Sequence, residues 1–127
     1  MAVGILLVTH NNIGANLLST ARDIFQGLPA EATAVSLKPN SDYDEKLALV
    51  ENCLKELDSG DGVLILTDIY GATPCNIALK AARNAKATVV SGVNLPMLIR
   101  TLNYANLPLA KIATKAISAG HESIFKC

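Results

Sequence analysis

The 127-residue chain is predicted to form an α/β domain of three layers, a mainly parallel open sheet flanked by helices. Three observations carry that expectation. Short apolar runs alternate with segments of helical period along the whole chain, the pattern of strand–helix–strand units joined by right-handed crossovers. Residues 3–8 and 63–66 contain no polar side chain, as expected of central parallel strands covered on both faces. Half of the residues are hydrophobic but only 4% are aromatic, so the core is built from Leu, Ile, Val and Ala.

The elements follow in order. Residues 3–8 form a first strand that runs into Thr9-His10-Asn11-Asn12. Ile13, Leu17, Leu18, Ala21, Ile24, Phe25 and Leu28 then recur at helical spacing until Gly27 and Pro29 end the helix. Residues 32–37 suit a second strand, and Ser41 or Asp42 can cap the helix that follows. Leu47, Val50, Leu54 and Leu57 give that helix one apolar face, closed by the turn at 58–62. The third strand covers 63–67. Pro74 sits in the first turn of a third helix, where its missing N–H costs nothing, and Ile77, Ala78, Ala81, Ala82 and Ala85 form its packed side. A fourth strand at 87–91 leads through Gly92 to Pro96 into a helix ending near Tyr104. Another starts at Pro108 and stops at Gly120, and the tail is expected to add a short edge strand through Ile124 and Phe125.

Length and pattern describe one domain, residues 1–127. Eleven basic residues balance eleven acidic ones without a charge run, which argues against nucleic acid as a partner. No apolar stretch reaches the roughly 20 residues of a membrane span, and the N-terminal strand lacks the flanks of a signal peptide. Cys53, Cys75 and Cys127 are too dispersed for a metal motif or a disulfide framework. These features describe a cytoplasmic, reduced protein that requires neither metal nor organic cofactor.

The chemistry is expected on the rim at the carboxyl ends of the strands, where open α/β sheets place their ligands. His10 and Asp68 both reach that rim if the first and third strands are neighbours. A carboxylate bonded to one imidazole nitrogen fixes the tautomer and leaves the other nitrogen's lone pair free to attack. Taken alone, Asp68 equally suits a helix cap and His10 a structural role; together they point to phosphoryl transfer through His10. The turn Gly71-Ala72-Thr73 offers backbone N–H groups and a hydroxyl to a phosphate, without the lysine of a nucleotide-binding loop. Asn11 and Asn12 tolerate a left-handed backbone. Asn94 and Pro96 are expected to wall the same pocket, and Tyr70 to contact a docking partner. Cys75 reads as a packed small hydrophobe, and Arg22, Lys38, Arg83 and Arg100 as scattered surface charges. A hydrolase or ligand module built on Asp68, Thr73 or Cys75 is the reading from another class.

Three segments, Val8-Thr9-His10, the run from Leu66 to Asn76, and Ser91-Gly92-Val93-Asn94-Leu95-Pro96-Met97-Leu98, resemble the mannose-class IIA proteins of the bacterial phosphoenolpyruvate:sugar phosphotransferase system. The resemblance holds in order and spacing over essentially the whole chain. It implies a cytoplasmic phosphocarrier in which His10 takes a phosphoryl group from phospho-HPr and passes it to a IIB protein or domain for sugar uptake. It further implies that Asp68 orients His10, that Gly71, Ala72 and Thr73 contact the phosphate, and that the chain forms a homodimer with its C-terminal strand exchanged. Association with a membrane permease complex would be peripheral. The chain departs from the family at Asn11 and Ala72, where glycine is frequent; the Ala72 methyl narrows the approach to phosphate. A free-standing IIA unit is also compatible with a regulatory phosphoprotein whose phosphorylation state controls a partner without sugar transport.

Overall fold

In a computed structural model that describes residues 2–127, four strands form one all-parallel sheet in the order β2-β1-β3-β4. The strands are β1 (Gly4–His10), β2 (Ala32–Leu37), β3 (Val63–Thr67) and β4 (Ala87–Val90). Between and after them run α1 (Ile13–Phe25), α2 (Tyr43–Leu57), α3 (Thr73–Ala82), α4 (Leu95–Asn103) and α5 (Leu109–Glu122). The predicted α/β class and layering hold. Among the described residues no helix is long and apolar enough to cross a membrane.

Side-chain alternation along β1 and β3 divides the core into two halves. Ile5, Leu7, Leu64 and Leu66 pack with Leu18 and Ala21 of α1, Leu98 and Leu102 of α4, and Ile112 and Ala116 of α5. Leu6, Val8, Val63 and Ile65 face the other way, against Val50 and Leu54 of α2 and Ile77, Ala78 and Ala81 of α3. Both faces are therefore covered, which is why these strands carry continuous apolar runs. By the same period of two, His10 leaves β1 on the α2–α3 side.

Register then brings the two rim residues together. β1 pairs with β3 through Val8 opposite Thr67, and with β2 through His10 opposite Leu37. β1 thus outruns β3, and the residue after Thr67 lies beside the end of β1. His10 is the last residue of the strand, not part of the loop expected after residue 8. Two further ladder positions persist because β2 still supplies a partner there.

Local signals explain most helix ends. Asp42 caps α2, its carboxylate accepting from the Glu45 N–H at 3.1 Å. Gln26, with φ +56°, and Gly27, with φ +117°, close α1 in left-handed backbone. One expectation needs correction. Gly120 does not stop α5, which continues to Glu122. Its role is close approach: a Cβ there would lie 2.9 Å from Met97 Cε, where α4 and α5 cross. The tail from Ser123 to Phe125 forms no strand in the single chain, and Ile124 and Phe125 are 78% and 77% exposed. A strand needs a neighbour for its backbone N–H and C=O groups, and the tail meets none within this chain.

Candidate functional site

His10 and Asp68 form the centre of the site. The His10 backbone N–H donates to Asp68 Oδ2 at 3.0 Å, and the ring Nδ1 lies 2.8 Å from the same oxygen. The Ile69 N–H donates to Oδ1 at 3.0 Å, so both carboxylate oxygens are engaged and the side chain has one orientation. Asp68 does not cap α3. Its side chain is only 8% exposed, whereas 39% of the His10 side chain is open to solvent.

Burial pushes the Asp68 carboxyl up, but the His10 backbone N–H, the ring hydrogen bond, the ring's charge and Asp68's own backbone outweigh it and hold the group below its ordinary value of 3.8. Asp68 is thus a carboxylate at neutral pH and only accepts hydrogen bonds. The proton between the two groups therefore belongs to Nδ1. In the neutral ring Nε2 carries the lone pair. A depressed folded-state value contributes stability that is fully present above the ordinary carboxylate value and is lost as pH falls through the depressed one. Acid unfolding followed by circular dichroism is therefore expected to lose part of its pH dependence below pH 3.8 in Asp68→Asn.

The strand-to-helix turn after His10 is held by its neighbours. Asn11 takes a left-handed φ of +47°, and its N–H donates to Leu37 O at 3.1 Å. Asn12 occupies the cap position of α1 without a side-chain bond; the buried Thr9 hydroxyl accepts from the Gly14 N–H at 2.8 Å instead. Sequence reasoning missed Thr9, because a threonine ending a strand reads as a strand former. Gly14 fits that contact: a Cβ there would come 3.1 Å from Thr9 Oγ1 and Leu7 Cβ.

The turn from Gly71 to Thr73 begins α3 on the same rim. Gly71 has φ +82°, which favours glycine. Ala72 sits at the cap position with φ −79° and ψ 169°, extended backbone that alanine adopts without strain. No side chain caps α3, and Thr73 is exposed at its first turn, so N–H groups and a hydroxyl remain there for an anion.

A cleft of about 230 Å³ joins His10 to Thr73 and Pro74 and is closed on its other side by Leu37, Lys38, Pro39 and Lys46. Lys38, read from the sequence as a scattered charge, is part of this cleft. Lys46 was invisible, since one lysine in an amphipathic helix carries no pattern. Asn94 and Pro96 do not line the cleft. Asn94 caps α4 by accepting from the Met97 N–H at 3.0 Å, and its Nδ2 donates to Gly120 O at 3.2 Å. Pro96 lines a separate groove with Ile99, Arg100 and Ser123. The reason is topological: α4 packs on the sheet face opposite His10. Tyr70 is 81% exposed and Ile69 59% exposed, side by side on the rim. Among the described residues no group of three or more His, Cys, Asp and Glu side chains is placed to hold a metal ion.

Residues 4–117 match the family described as PTS system fructose IIA component. The chain belongs to this mannose/fructose-class IIA family of the phosphotransferase system. It is 30% identical over 103 residues to the mannose-specific EIIAB component of Escherichia coli strain K12, a match covering 80% of this chain and 32% of that protein. The chain thus spans about a third of the length of that curated relative. The mannose/sorbose-specific IIA subunit from Enterococcus faecalis superposes with a TM-score of 0.89 at 26% identity, covering all of this chain and 96% of that one. A segment of the transcriptional regulatory protein LevR of Bacillus subtilis is 26% identical over 114 residues, covering 87% of this chain and 12% of that protein. The IIA family has a general phosphotransferase role.

Proposed function

We propose that the chain is a cytoplasmic phosphocarrier, a single IIA-type unit that accepts a phosphoryl group from phospho-HPr on His10 and hands it to a IIB protein or domain for sugar uptake. The 2.8 Å contact between His10 Nδ1 and Asp68 Oδ2 carries this reading, because it leaves Nε2 as the nucleophile on an exposed ring. The Nε2 lone pair attacks phosphorus in line as the donor's P–N bond breaks, and that bonding pair returns to the donor nitrogen. The Nδ1 proton stays in place throughout. The ring becomes cationic as it gains phosphorus, and the fixed Asp68 carboxylate faces that charge. Gly71, Ala72 and Thr73 then supply donors to the phosphoryl oxygens, so catalysis consists of placement and charge balance. Ile69, Tyr70 and Asn11 form the surrounding rim on which a donor protein would rest.

Exposed Ile124 and Phe125 support a homodimer in which the tail pairs with a second copy. The similarity to part of LevR favours a second reading, a phosphoprotein that regulates a partner without sugar movement. Incubation with phosphorylated HPr followed by a candidate IIB distinguishes them. Gain of one phosphoryl group and its loss to IIB supports transport, a phosphoprotein that persists supports regulation, and no gain contradicts both.

A further inference from the structure

The cleft beside His10 is lined by a lysine that makes no ion pair. Lys46 lies in the first turn and a half of α2 and is only 9% exposed. Burial of a lysine stem is ordinary when its head finds water or a carboxylate. Here the position on the helix sets it apart. The positive end of a helix dipole disfavours a cation there, and no carboxylate pairs with it. The only ion pair among the described residues is His10–Asp68. Asp42, at the cap position of α2, accepts from the Glu45 N–H and makes no ion pair with Lys46. Asp44 and Glu45 are exposed on the same turn without bonding Lys46. Lys46 therefore lines a small cleft with His10 and Thr73, and Lys38 stands at the cleft's exposed edge. A lysine without an ion pair, the His10 ring and an uncapped helix start thus surround one cavity.

We propose that Lys46, assisted by Lys38, is a further phosphate-binding residue of this chain, holding the phosphoryl group on His10 Nε2 from the α2 side, opposite the Gly71–Thr73 turn. This rests on the phosphocarrier reading. The ammonium neutralises charge on the phosphoryl oxygens as the P–N bond to Nε2 forms, and it replaces any approach lost to the Ala72 methyl.

Phosphoramidate, a small donor, tests the proposal without involving a partner protein. Nε2 attacks its phosphorus, the P–N bond breaks, and ammonia leaves with the bonding pair. Phosphorylation of His10 is followed by intact mass in the native chain and in Lys46→Met, Lys46→Gln, Lys46→Arg, Lys38→Met and His10→Ala. Loss of a charge-assisted bond to phosphate is expected to slow uptake about tenfold in Lys46→Met and Lys46→Gln. Lys46→Arg should recover most of the rate, and Lys38→Met should show a smaller loss. Thermal unfolding should show Lys46→Met as folded as the native chain, since it keeps the buried stem. Native rates in both neutral variants, with His10→Ala inert, would overturn the role of Lys46 and leave the phosphocarrier reading intact. Phosphate uptake by His10→Ala would overturn both.

Discussion

Replacing Asp68 by Asn is expected to slow phosphoryl uptake by His10 about a hundredfold while the chain stays folded. Asp68 Oδ2 accepts from both the backbone N–H and Nδ1 of His10, and Oδ1 accepts from the Ile69 N–H. An amide has one oxygen, so one side of this arrangement must go unsatisfied or meet an NH₂ group. The ring then loses the partner that keeps its proton on Nδ1, and a share of molecules present N–H where the lone pair is required. The charge facing the cationic phosphorylated ring also disappears. About 1–2 kcal/mol of stability should be lost with the hydrogen bond, too little to unfold a core with buried strands on both faces. Stopped incubation with phosphorylated HPr, read by mass, checks the rate; thermal unfolding checks the fold.

The second large effect is at His10 itself. His10→Ala is expected to abolish uptake entirely, with no other residue labelled. Cys75, the thiol near this rim, is buried in the first turn of α3 and 2% exposed. The substitution should cost little stability, because the backbone N–H of residue 10 still donates to Asp68 and the ring is already partly exposed. A variant that keeps its unfolding midpoint yet takes no phosphate assigns the loss to chemistry and not to folding.

Much of this site was legible from residue order alone, for identifiable reasons. The apolar runs at 3–8 and 63–66 mark β1 and β3 because both faces of these strands are covered, and parallel neighbours must open their loops on one rim. That placed His10 beside Asp68 on the condition that β1 and β3 are neighbours, which the strand order meets. What escaped depends on contacts between elements distant in sequence. Thr9 capping α1 from within the sheet, Gly120 giving way to Met97, and Lys46 of α2 lining the His10 cleft have no local signature. Asn94 and Pro96 were misplaced because a motif fixes a residue on a loop without telling which face of the sheet the next helix covers. The tail shows another limit: Ile124 and Phe125 suit a short strand, but strand formation requires a partner edge.

Which ring nitrogen carries phosphorus is the most direct test of the central claim. Nitrogen NMR of the phosphorylated chain, labelled at histidine and coupled to phosphorus, is expected to show the P–N bond at Nε2 of His10 and a retained proton at Nδ1. Phosphorus on Nδ1 would contradict the account, since Asp68 occupies that side of the ring.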